Sequence, residues 1–375
     1  SAQYYYTTNG GGLWHGPFQP VCTAREGSTS ATLIAIGVPF NQESRSANRI
    51  KFSIQDLNGN IGNSPVYYVK TDITLPTNPS IVNTHAHRVE EWCRFNRINV
   101  TWNMGSDVIS GIGGYSYSFT QSAASIPDAI PDTGYEPRSI ESPILSDGKS
   151  WYFHLRAVDK AGNAAAETLH FGPFWIDATP PPPPTINLYS NEYKTSTWLS
   201  SNYAVVKVTL MDDNLSGNQC IRYNYTLMPD SIPVTGTETI LYSYVKSENL
   251  GDGNTWYCHA QTKDVAGNYS EAAHFGHFWI DKTPPPGSLR ISSIAGTGKF
   301  NGKVIAEDTL SGVRDWDIVY REFGESDNYP HNYVSHSTST DIIFTPPDPT
   351  KGYELGLALV DNCGNESSVL GPLPA

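Results

Sequence analysis

The sequence predicts an all-β protein made of four tandem β-sandwich domains, the first of which is incomplete at its N-terminal end. Two observations lead to this prediction. The first is an internal repeat, because residues 151–181 recur closely at residues 256–286 with the tryptophan, histidine, turn and proline positions in register. The second is the composition, in which 32 Gly, 27 Pro and 22 Tyr among 375 residues favour short strands joined by turns.

A D-x-x-G-N turn marks the phase of the repeat. The aspartates that open the four copies of this turn are Asp56, Asp159, Asp264 and Asp361. Their spacing of about 100 residues is the length of a whole domain and is far longer than a solenoid repeat. The predicted domains span residues 1–74, 75–178, 179–282 and 283–375.

Within the second domain, short alternating segments are separated by turn signals, as expected for a β-sandwich. Residues 97–104 alternate between apolar and polar side chains, a loop follows, and residues 115–119 alternate again. Residues 151–159 place four apolar side chains on one face, which is typical of a half-buried antiparallel strand. Residues 171–176 are the predicted last strand, and the proline run after them indicates a semi-rigid linker.

The order of these motifs carries a family resemblance. A strand is followed by a D-x-x-S-G loop, a Y-x-Y strand, an S-I-P-D segment, the strand and turn W-Y-F-H-x-R-A-V-D-x-A-G-N, and a closing I-D-x-T-P-P. This order resembles the fibronectin type III and bacterial immunoglobulin-like repeats of exported surface proteins. The resemblance is close over residues 75–283 and looser in the fourth domain. It implies an immunoglobulin-like sandwich fold and an extracellular or cell-surface location, and says much less about function.

The first domain departs from this pattern, because it has too few residues before Asp56 to hold the first two strands. Its opening, YYYTTNGGGLWHGPF, resembles the third strand and the turn that follows it. A sandwich without two of its strands exposes sheet edges and core. Two explanations stay open: the chain is a segment of a longer one with further domains, or another copy of the protein supplies the strands by β-augmentation.

Nine aspartates form candidate metal sites. Each linker, each D-x-x-S-G loop and each D-x-x-G-N turn supplies one, and these three segments meet at one pole of a fibronectin-like sandwich. The predicted sets are Asp72, Asp107 and Asp159 at the first joint, Asp177, Asp213 and Asp264 at the second, and Asp281, Asp308 and Asp361 at the third. Three adjacent carboxylates repel one another unless a cation neutralises them, and Ca²⁺ prefers six to eight oxygen ligands, to which Asn163 or Asn268 could add.

A simpler interpretation of the same aspartates is that each one caps its own turn. Aspartate and asparagine side chains accept hydrogen bonds from the amides that follow them and tolerate left-handed backbone, and a glycine follows in every motif. Turn chemistry alone therefore explains the D-x-x-S-G and D-x-x-G-N sequences without a metal. The sequence leaves both interpretations open.

The cysteines and histidines predict little further chemistry. Five cysteines without a C-x-x-C motif are a poor metal or redox framework, and the best disulfide candidate is Cys220–Cys258, on two neighbouring strands of the third domain. His85, His87 and Glu90 put two imidazoles on one strand face and are a weak Zn²⁺ candidate, because no third ligand stands at a telling spacing. The remaining histidines considered, His170, His274 and His277, are predicted to be packing or strand-edge residues.

Charge and motif content narrow the function. The net charge of −13 argues against nucleic acid or an anionic membrane as partner and is compatible with divalent cations. No run of about 18 apolar residues predicts a membrane span. The sequence has no G-x-S-x-G, H-E-x-x-H or phosphate-binding glycine loop, so a non-enzymatic role is expected.

These observations predict an exported structural protein, a stiff multi-domain rod that is the subunit or segment of a surface layer, fibre or filament, with head-to-tail assembly by strand complementation. Its expected partners are other copies of itself or further domains of a longer chain. The alternative is an adhesin stalk or an array of carbohydrate-binding modules, for which exposed tyrosine and tryptophan faces would contact a cell-surface glycan.

Overall fold

The computed structural model describes residues 1–23, 28–80, 82–190, 194–239, 244–325 and 329–371. Every regular element in these residues is a β-strand. Across the same ranges, no helix has the length and apolar character needed to cross a bilayer. The chain divides into two compact units, Ser1–Thr179 and Pro180–Ala375, which are described separately below.

The first part of the first unit forms one main antiparallel sheet and a small two-stranded sheet. Its strands are β1 (Ala2–Thr7), β2 (His15–Phe18), β3 (Val21–Thr23), β4 (Thr32–Ile34), β5 (Arg49–Gln55), β6 (Ile61–Asn63) and β7 (Tyr67–Tyr68). The main sheet has the order β2-β1-β5-β6, with β7 also paired to β5, whereas β3 pairs with β4. One face of the main sheet is aromatic, and Tyr4 packs against Phe18 and Phe52 at ring-centroid distances of 5.5 and 6.2 Å.

The rest of the first unit is a complete sandwich. Its strands are β8 (Val82–Thr84), β9 (Trp92–Cys93), β10 (Asn99–Trp102), β11 (Ile112–Thr120), β12 (Thr133–Gly134), β13 (Ser139–Glu141), β14 (Gly148–Asp159) and β15 (Leu169–Ile176). A three-stranded sheet, β13-β10-β8, faces a five-stranded sheet, β12-β11-β14-β15-β9. The core between them is aromatic and aliphatic, with Tyr115, Phe153, Leu155 and Phe174 fully buried.

The register of β11 against β14 explains why the alternation predicted for residues 151–159 holds. Tyr117 lies opposite Leu155 and Phe119 lies opposite Phe153, so that alternate residues of both strands face the core. Gly114 is required where β12 joins this sheet, because a Cβ at that position would overlap the carbonyl oxygen of Thr133.

The second unit begins with another sandwich of the same kind. Its strands are β16 (Thr185–Leu188), β17 (Trp198–Leu199), β18 (Val205–Thr209), β19 (Asn218–Thr226), β20 (Thr237–Thr239), β21 (Tyr244–Lys246), β22 (Gly253–Asp264) and β23 (Ala273–Ile280). The two sheets have the orders β16-β18-β21 and β17-β23-β22-β19-β20. Ile221, Cys258, Phe278 and Ile280 are fully buried between them.

The last sandwich contains six described strands. They are β24 (Gly287–Ile294), β25 (Lys299–Ala306), β26 (Val313–Glu322), β27 (His331–Ser337), β28 (Asp341–Phe344) and β29 (Tyr353–Asp361). The sheet β24-β25-β28 faces the sheet β27-β26-β29 across a core that includes Leu289, Ile318, Phe344 and Leu357.

Two sandwiches that pair a three-stranded with a five-stranded sheet, and a third whose described strands form two three-stranded sheets, confirm the predicted fold class, a tandem of β-sandwiches of the fibronectin type III and immunoglobulin-like type. The main sheet of residues 1–68 pairs its strands as the larger sheet does elsewhere. Among the described residues of this first part, no three-stranded sheet stands opposite it, and the incomplete first sandwich stays a prediction. The four predicted domain boundaries stay predictions.

The predicted Cys220–Cys258 disulfide is wrong. The two cysteines do lie on the neighbouring strands β19 and β22, but Cys220 is opposite Lys263 and Cys258 is opposite Tyr225. Positions 258 and 263 are separated by about 17 Å along a strand, whereas a disulfide needs Cα atoms about 4.4–6.8 Å apart. All five cysteines are free thiols.

Candidate metal centres at the domain joints

The structure brings together the three aspartates predicted for the first joint. Asp72 follows β7, Asp107 lies in the loop between β10 and β11, and Asp159 is the last residue of β14. One carboxylate oxygen from each lies within 4.8 Å of the others. This set, called the first aspartate set below, therefore joins the segment after the first sheet to one pole of the following sandwich.

Turn hydrogen bonds fix each carboxylate of the first aspartate set. The Oδ1 atom of Asp159 accepts hydrogen bonds from the backbone N–H groups of Ala161 and Asn163 at 2.8 and 2.9 Å. The Oδ1 atom of Asp107 accepts one from the N–H of Gly111 at 2.6 Å. The turn-capping interpretation is therefore correct for these residues, and it leaves open what the remaining oxygen atoms do.

Two further bonds tie the linker to the sandwich. The N–H of Ser110 donates to Oδ2 of Asp72 at 2.8 Å. The side-chain amide of Asn163 donates both to Oδ2 of Asp159, at 2.8 Å, and to the backbone carbonyl of Asp72, at 3.1 Å. The turn thus holds the linker backbone and the cluster of carboxylates in one place.

One oxygen of the first aspartate set has no hydrogen-bond partner. Oδ2 of Asp107 is buried and accepts no hydrogen bond among the described residues. A buried carboxylate oxygen without a donor or a cation costs desolvation free energy that nothing returns. Among the described residues, no Lys, Arg or His side chain forms a salt bridge with any member of this set.

The neighbours of Asp72 keep its carboxyl group ionised. Burial acts to raise the pKa of its carboxyl, but hydrogen bonds from Ser110 and Thr74 and the positive charge of Arg45 hold that pKa below its ordinary value. Asp72 is therefore ionised at neutral pH. The Arg45 guanidinium itself donates to the backbone carbonyls of Val108 and Ile109, so it is committed to the loop backbone rather than to a carboxylate.

The second unit contains the set predicted for the third joint, with the same geometry. Asp281 follows β23, Asp308 lies between β25 and β26, and Asp361 ends β29, and their carboxylate oxygens again lie within 4.8 Å of one another. Ser311 donates its N–H to Oδ2 of Asp281 at 3.0 Å. The side-chain amide of Asn365 donates to Oδ2 of Asp361, at 2.6 Å, and to the backbone carbonyl of Asp281, at 2.9 Å.

The negative charge of Asp281, Asp308 and Asp361, called the third aspartate set below, acts on the nearby thiol of Cys363. The pKa of the Cys363 thiol is raised to about 11, first by burial and further by the charges of Asp361, Asp281 and Asp308, against a lowering by Ser311. The thiol is therefore protonated at neutral pH, so that the donor set offered to a metal here consists of oxygen atoms.

The set predicted for the second joint is divided between the two units. Asp213 and Asp264 belong to the second unit, and their carboxylate oxygens lie within 4.8 Å of each other. Oδ2 of Asp213 accepts from the N–H of Gly217 at 2.6 Å, while its buried Oδ1 has no hydrogen-bond partner in the described chain. Asp177 follows β15 in the first unit. Its predicted convergence with the other two stays a prediction.

The zinc candidate is not supported by the local geometry. His87 is buried, its Nε2 lies 2.8 Å from the carbonyl oxygen of Phe95, and burial lowers the pKa of its imidazole. His85 is exposed. In the parts of the chain that the structure describes, neither residue belongs to a group of three ligand atoms within 4.8 Å.

One cluster was not predicted from the sequence. Asp315, Asp317 and His336 also bring three ligand atoms within 4.8 Å of one another. A register shift between β26 and β27 turns His336 toward the two aspartates, which lie two residues apart on one strand face. The strand-face spacing of the aspartates was readable in the sequence, but the register shift was not. The Arg314 side chain donates to Asp315 at 2.8 Å, and that bond lowers the pKa of Asp315.

Comparisons with known proteins give matches only among solved structures. No protein-family model matches the chain, and no curated protein sequence matches it. Similar solved structures include the FN1–FN3 domains of chicken CNTN1, at 11% identity over 79% of this chain and 98% of that one, with a TM-score of 0.24. The fibronectin(III)-like modules of Clostridium thermocellum CbhA match at 11% identity over 54% and 95%, with a TM-score of 0.32.

A third similar structure is a Ca²⁺-stabilized adhesin that helps an Antarctic bacterium bind ice. It matches at 10% identity over 99% of this chain and 89% of that one, with a TM-score of 0.37. All three are fibronectin type III or adhesin structures. The likeness concerns the fold alone, and the metal centres rest on the residues of this chain.

Proposed function

We propose that this chain is an extracellular structural protein, an array of β-sandwiches whose joints are stiffened by calcium, and that it forms a subunit or segment of a surface layer, fibre or filament. The observation that carries the proposal is the first aspartate set, in which three carboxylates converge and the buried Oδ2 of Asp107 has no hydrogen-bond partner. The same convergence in the third aspartate set supports it.

Electrostatics argue for a cation at these sets. Two unit charges 4.8 Å apart repel by roughly 3.5 kcal/mol at an effective dielectric constant near 20, so three such pairs cost about 10 kcal/mol before compensation. The turn amides, and at the first aspartate set the positive charge of Arg45, offset part of this repulsion. No salt bridge among the described residues offsets the rest. A divalent cation would neutralise the charge and satisfy the orphan oxygen of Asp107 at the same time.

The donor chemistry favours calcium over other ions. Three carboxylates offer up to six hard oxygen atoms in a flexible arrangement, which suits the six to eight ligands and variable geometry of Ca²⁺. Zn²⁺ prefers nitrogen and sulfur ligands, and the set contains neither. Asn163, which the sequence suggested as a further ligand, uses its amide nitrogen to hold Asp159 and the linker carbonyl. Backbone carbonyls and water would complete the shell.

A metal in this place has a mechanical consequence. One ligand comes from the linker and two come from the following sandwich, so that binding restrains the linker relative to that sandwich. Because the amide of Asn163 already holds the linker backbone, calcium would need to order few additional groups. Such a joint resists bending, which is the property that a filament or stalk requires.

Assembly through the first sheet is the finer part of the proposal. One face of the sheet formed by β2, β1 and β5 carries Tyr4, Phe18, Phe52 and Ile54, and Phe18 and Ile54 are exposed. An apolar sheet face of this kind is completed either by further strands of a longer chain or by strands of another copy of the protein. Mass measurement of the native assembly distinguishes the two.

The test compares the purified chain with calcium, with magnesium and with a chelator. Isothermal titration should show calcium binding that magnesium does not compete away, and small-angle scattering should show a longer, stiffer particle with calcium than with chelator. Electron microscopy of the native material should show ordered polymers. A chain that binds no calcium, and isolated particles whose dimensions are unchanged by chelator, would contradict the proposal.

A second candidate function, contact with a cell-surface glycan, rests on one observation. Tyr189 and Tyr244 are both about half exposed, and their rings lie next to each other with centroids 5.3 Å apart and planes tilted by 50°. Aromatic faces of this kind are used for carbohydrate binding. A glycan-array screen of the wild-type chain and of a Tyr189→Ala, Tyr244→Ala variant tests it, and equal signals for both would remove the candidate.

A further inference from the structure

Each complete sandwich in residues 82–280 contains a pair of histidines on adjacent strands. His154 on β14 lies directly opposite His170 on β15, and His259 on β22 lies directly opposite His274 on β23. In both pairs the two Nδ1 atoms are 2.7 Å apart. The sequence predicted only packing or edge roles for His170 and His274, because nothing local shows which residues face each other across a sheet.

A hydroxyl group orients the inner histidine of the first pair. The Thr120 Oγ1 atom lies 2.9 Å from Nε2 of His154, 3.1 Å from the backbone carbonyl of Ser122 and 2.9 Å from Oγ of Ser125. Two serine oxygens are thus placed to accept the single hydrogen of Thr120, and on this basis we assign the hydroxyl as the acceptor from His154 and the His154 proton to Nε2. The Nδ1 atom of His154 is left as a lone pair directed at His170.

The second pair repeats this arrangement. Thr226 Oγ1 lies 2.9 Å from Nε2 of His259 and donates to the carbonyl of Met228 at 3.2 Å. The Nδ1 lone pair of His259 is therefore directed at His274. Fixing one ring nitrogen with an oxygen so that the other presents its lone pair is the arrangement that surrounds metal-binding histidines.

Burial keeps the inner histidines neutral, and exposure makes the outer ones accessible. His154 and His259 are fully buried, whereas His170 and His274 are exposed. Burial, and next the facing histidine, lower the pKa of His154 and of His259 to about 4. At neutral pH both inner imidazoles are thus free bases, which is the form that coordinates metal.

We propose that each histidine pair binds one divalent transition-metal ion of the copper and zinc class through its two Nδ1 atoms. Imidazole nitrogen is a ligand that Cu²⁺ and Zn²⁺ favour and that Ca²⁺ does not. Water fills the remaining coordination positions. The ion links the last two strands of the larger sheet in each sandwich.

The change needed for binding is small. Two metal–nitrogen bonds of about 2.05 Å at a tetrahedral angle place the nitrogen atoms about 3.3 Å apart. The present separation of 2.7 Å corresponds to one shared proton. A metal ion takes the place of this proton, which moves to Nε2 of the outer histidine, and the change requires a displacement of about 0.6 Å. The exposed outer ring provides it by rotation.

These sites are independent of the proposed calcium centres. His154 and Asp159 lie on the same strand, and positions 154 and 159 are separated by about 17 Å along it. The two donor sets also differ in chemistry, nitrogen in one and oxygen in the other. A failure of the calcium proposal would therefore leave the histidine proposal untouched, and the reverse holds as well.

The test is a Cu²⁺ titration of the whole chain in saturating calcium, followed by electron paramagnetic resonance. Variants His170→Asn and His274→Asn remove the exposed member of each pair, and their double variant removes both. His331→Asn, an exposed histidine on β27 outside either pair, is the matched control. Circular dichroism of every variant establishes that the sandwiches are folded.

The wild-type chain should bind two more equivalents of copper than the double variant, each with a spectrum of two equatorial nitrogens. Each single variant should lose one equivalent, and His331→Asn should lose none. Zn²⁺ should raise the melting temperature of the wild-type chain and not of the double variant. Equal copper counts in the wild-type chain and the double variant would overturn the proposal and leave the pairs as proton-sharing packing contacts.

Discussion

Replacing Asp107 by asparagine separates the calcium and turn-capping roles of the first aspartate set. The substitution removes one negative charge from a set of three whose oxygens lie within 4.8 Å of one another, and so removes two of its three repulsive pairs. At roughly 3.5 kcal/mol for each pair, this relieves about 7 kcal/mol of bare repulsion. The asparagine oxygen still accepts from the N–H of Gly111, so the turn is kept.

The effect of Asp107→Asn on the free energy of unfolding should depend on calcium. Without calcium, Asp107→Asn should stabilise the first unit by about 1–3 kcal/mol, since turn amides and solvent already offset most of the bare repulsion. A concentration of calcium 100-fold above its Kd adds about 2.7 kcal/mol to the wild-type chain, and the variant should lose most of this gain. Each kcal/mol corresponds to a shift in melting temperature of about 2–4 °C for a unit of this size.

The assay is thermal unfolding with chelator and with calcium, and Asp56→Asn is the matched control. Asp56, like Asp107, caps its own turn by accepting backbone N–H bonds, here from Asn58 and Asn60 in a D-x-x-G-N turn, but it belongs to no three-ligand set in the described chain. The control should respond equally in both conditions. If Asp107→Asn destabilises the chain by the same amount with and without calcium, the aspartate is a turn cap and the metal proposal is refuted.

Three further predictions follow from the structure. Calcium bound at the third aspartate set should lower the raised pKa of Cys363, because it neutralises the adjacent carboxylates. The rate at which the Cys363 thiol is alkylated at pH 8 should then increase on addition of calcium. An unchanged rate would count against a cation at the third aspartate set. The free energy of unfolding should fall as the pH falls from about 6.5 toward 4, because His154 and His259 bind protons in the unfolded chain but stay neutral in the folded chain until about pH 4. Each histidine contributes a slope of up to about 1.4 kcal/mol per pH unit. The double variant His154→Gln, His259→Gln should show a flatter dependence of the free energy of unfolding on pH, measured by urea unfolding. Gly114→Ala should destabilise the first unit by about 1–3 kcal/mol, since its Cβ would overlap a strand carbonyl, and a denaturant midpoint equal to that of the wild-type chain would show that the sheet can move aside.

The sequence predicts the features that depend on local or repeated patterns. The alternation in residues 151–159 predicts a strand with its apolar face inward, and β14 is that strand. The repeated D-x-x-G-N turns align the domains with one another, and from this alignment Asp72, Asp107 and Asp159 were expected to lie close together. Aspartate turn chemistry is decided by the few residues that follow it, so these positions could be found without a structure.

Features that depend on the register between strands were not predictable. The register of β19 against β22 places Cys220 opposite Lys263, five residues from Cys258, so that no disulfide forms, and nothing in either strand alone encodes that register. The same holds for His336, which a shift in the pairing of β26 and β27 brings to Asp315. The facing histidine pairs also follow from pairing across a sheet, which a single sequence leaves unspecified.

The amide of Asn163 that holds the carbonyl of Asp72, and its counterpart from Asn365 to Asp281, have a consequence for how such an array grows. The linker aspartate at the end of one domain is therefore held in place by the sandwich of the next domain. A gene duplication that copies a sandwich without the aspartate ahead of it would yield a joint with two carboxylates instead of three and no backbone tether. A duplicated unit that keeps its joint must therefore begin before the linker aspartate and not at the first strand of the sandwich. The same boundary applies when a domain is excised from the chain for expression.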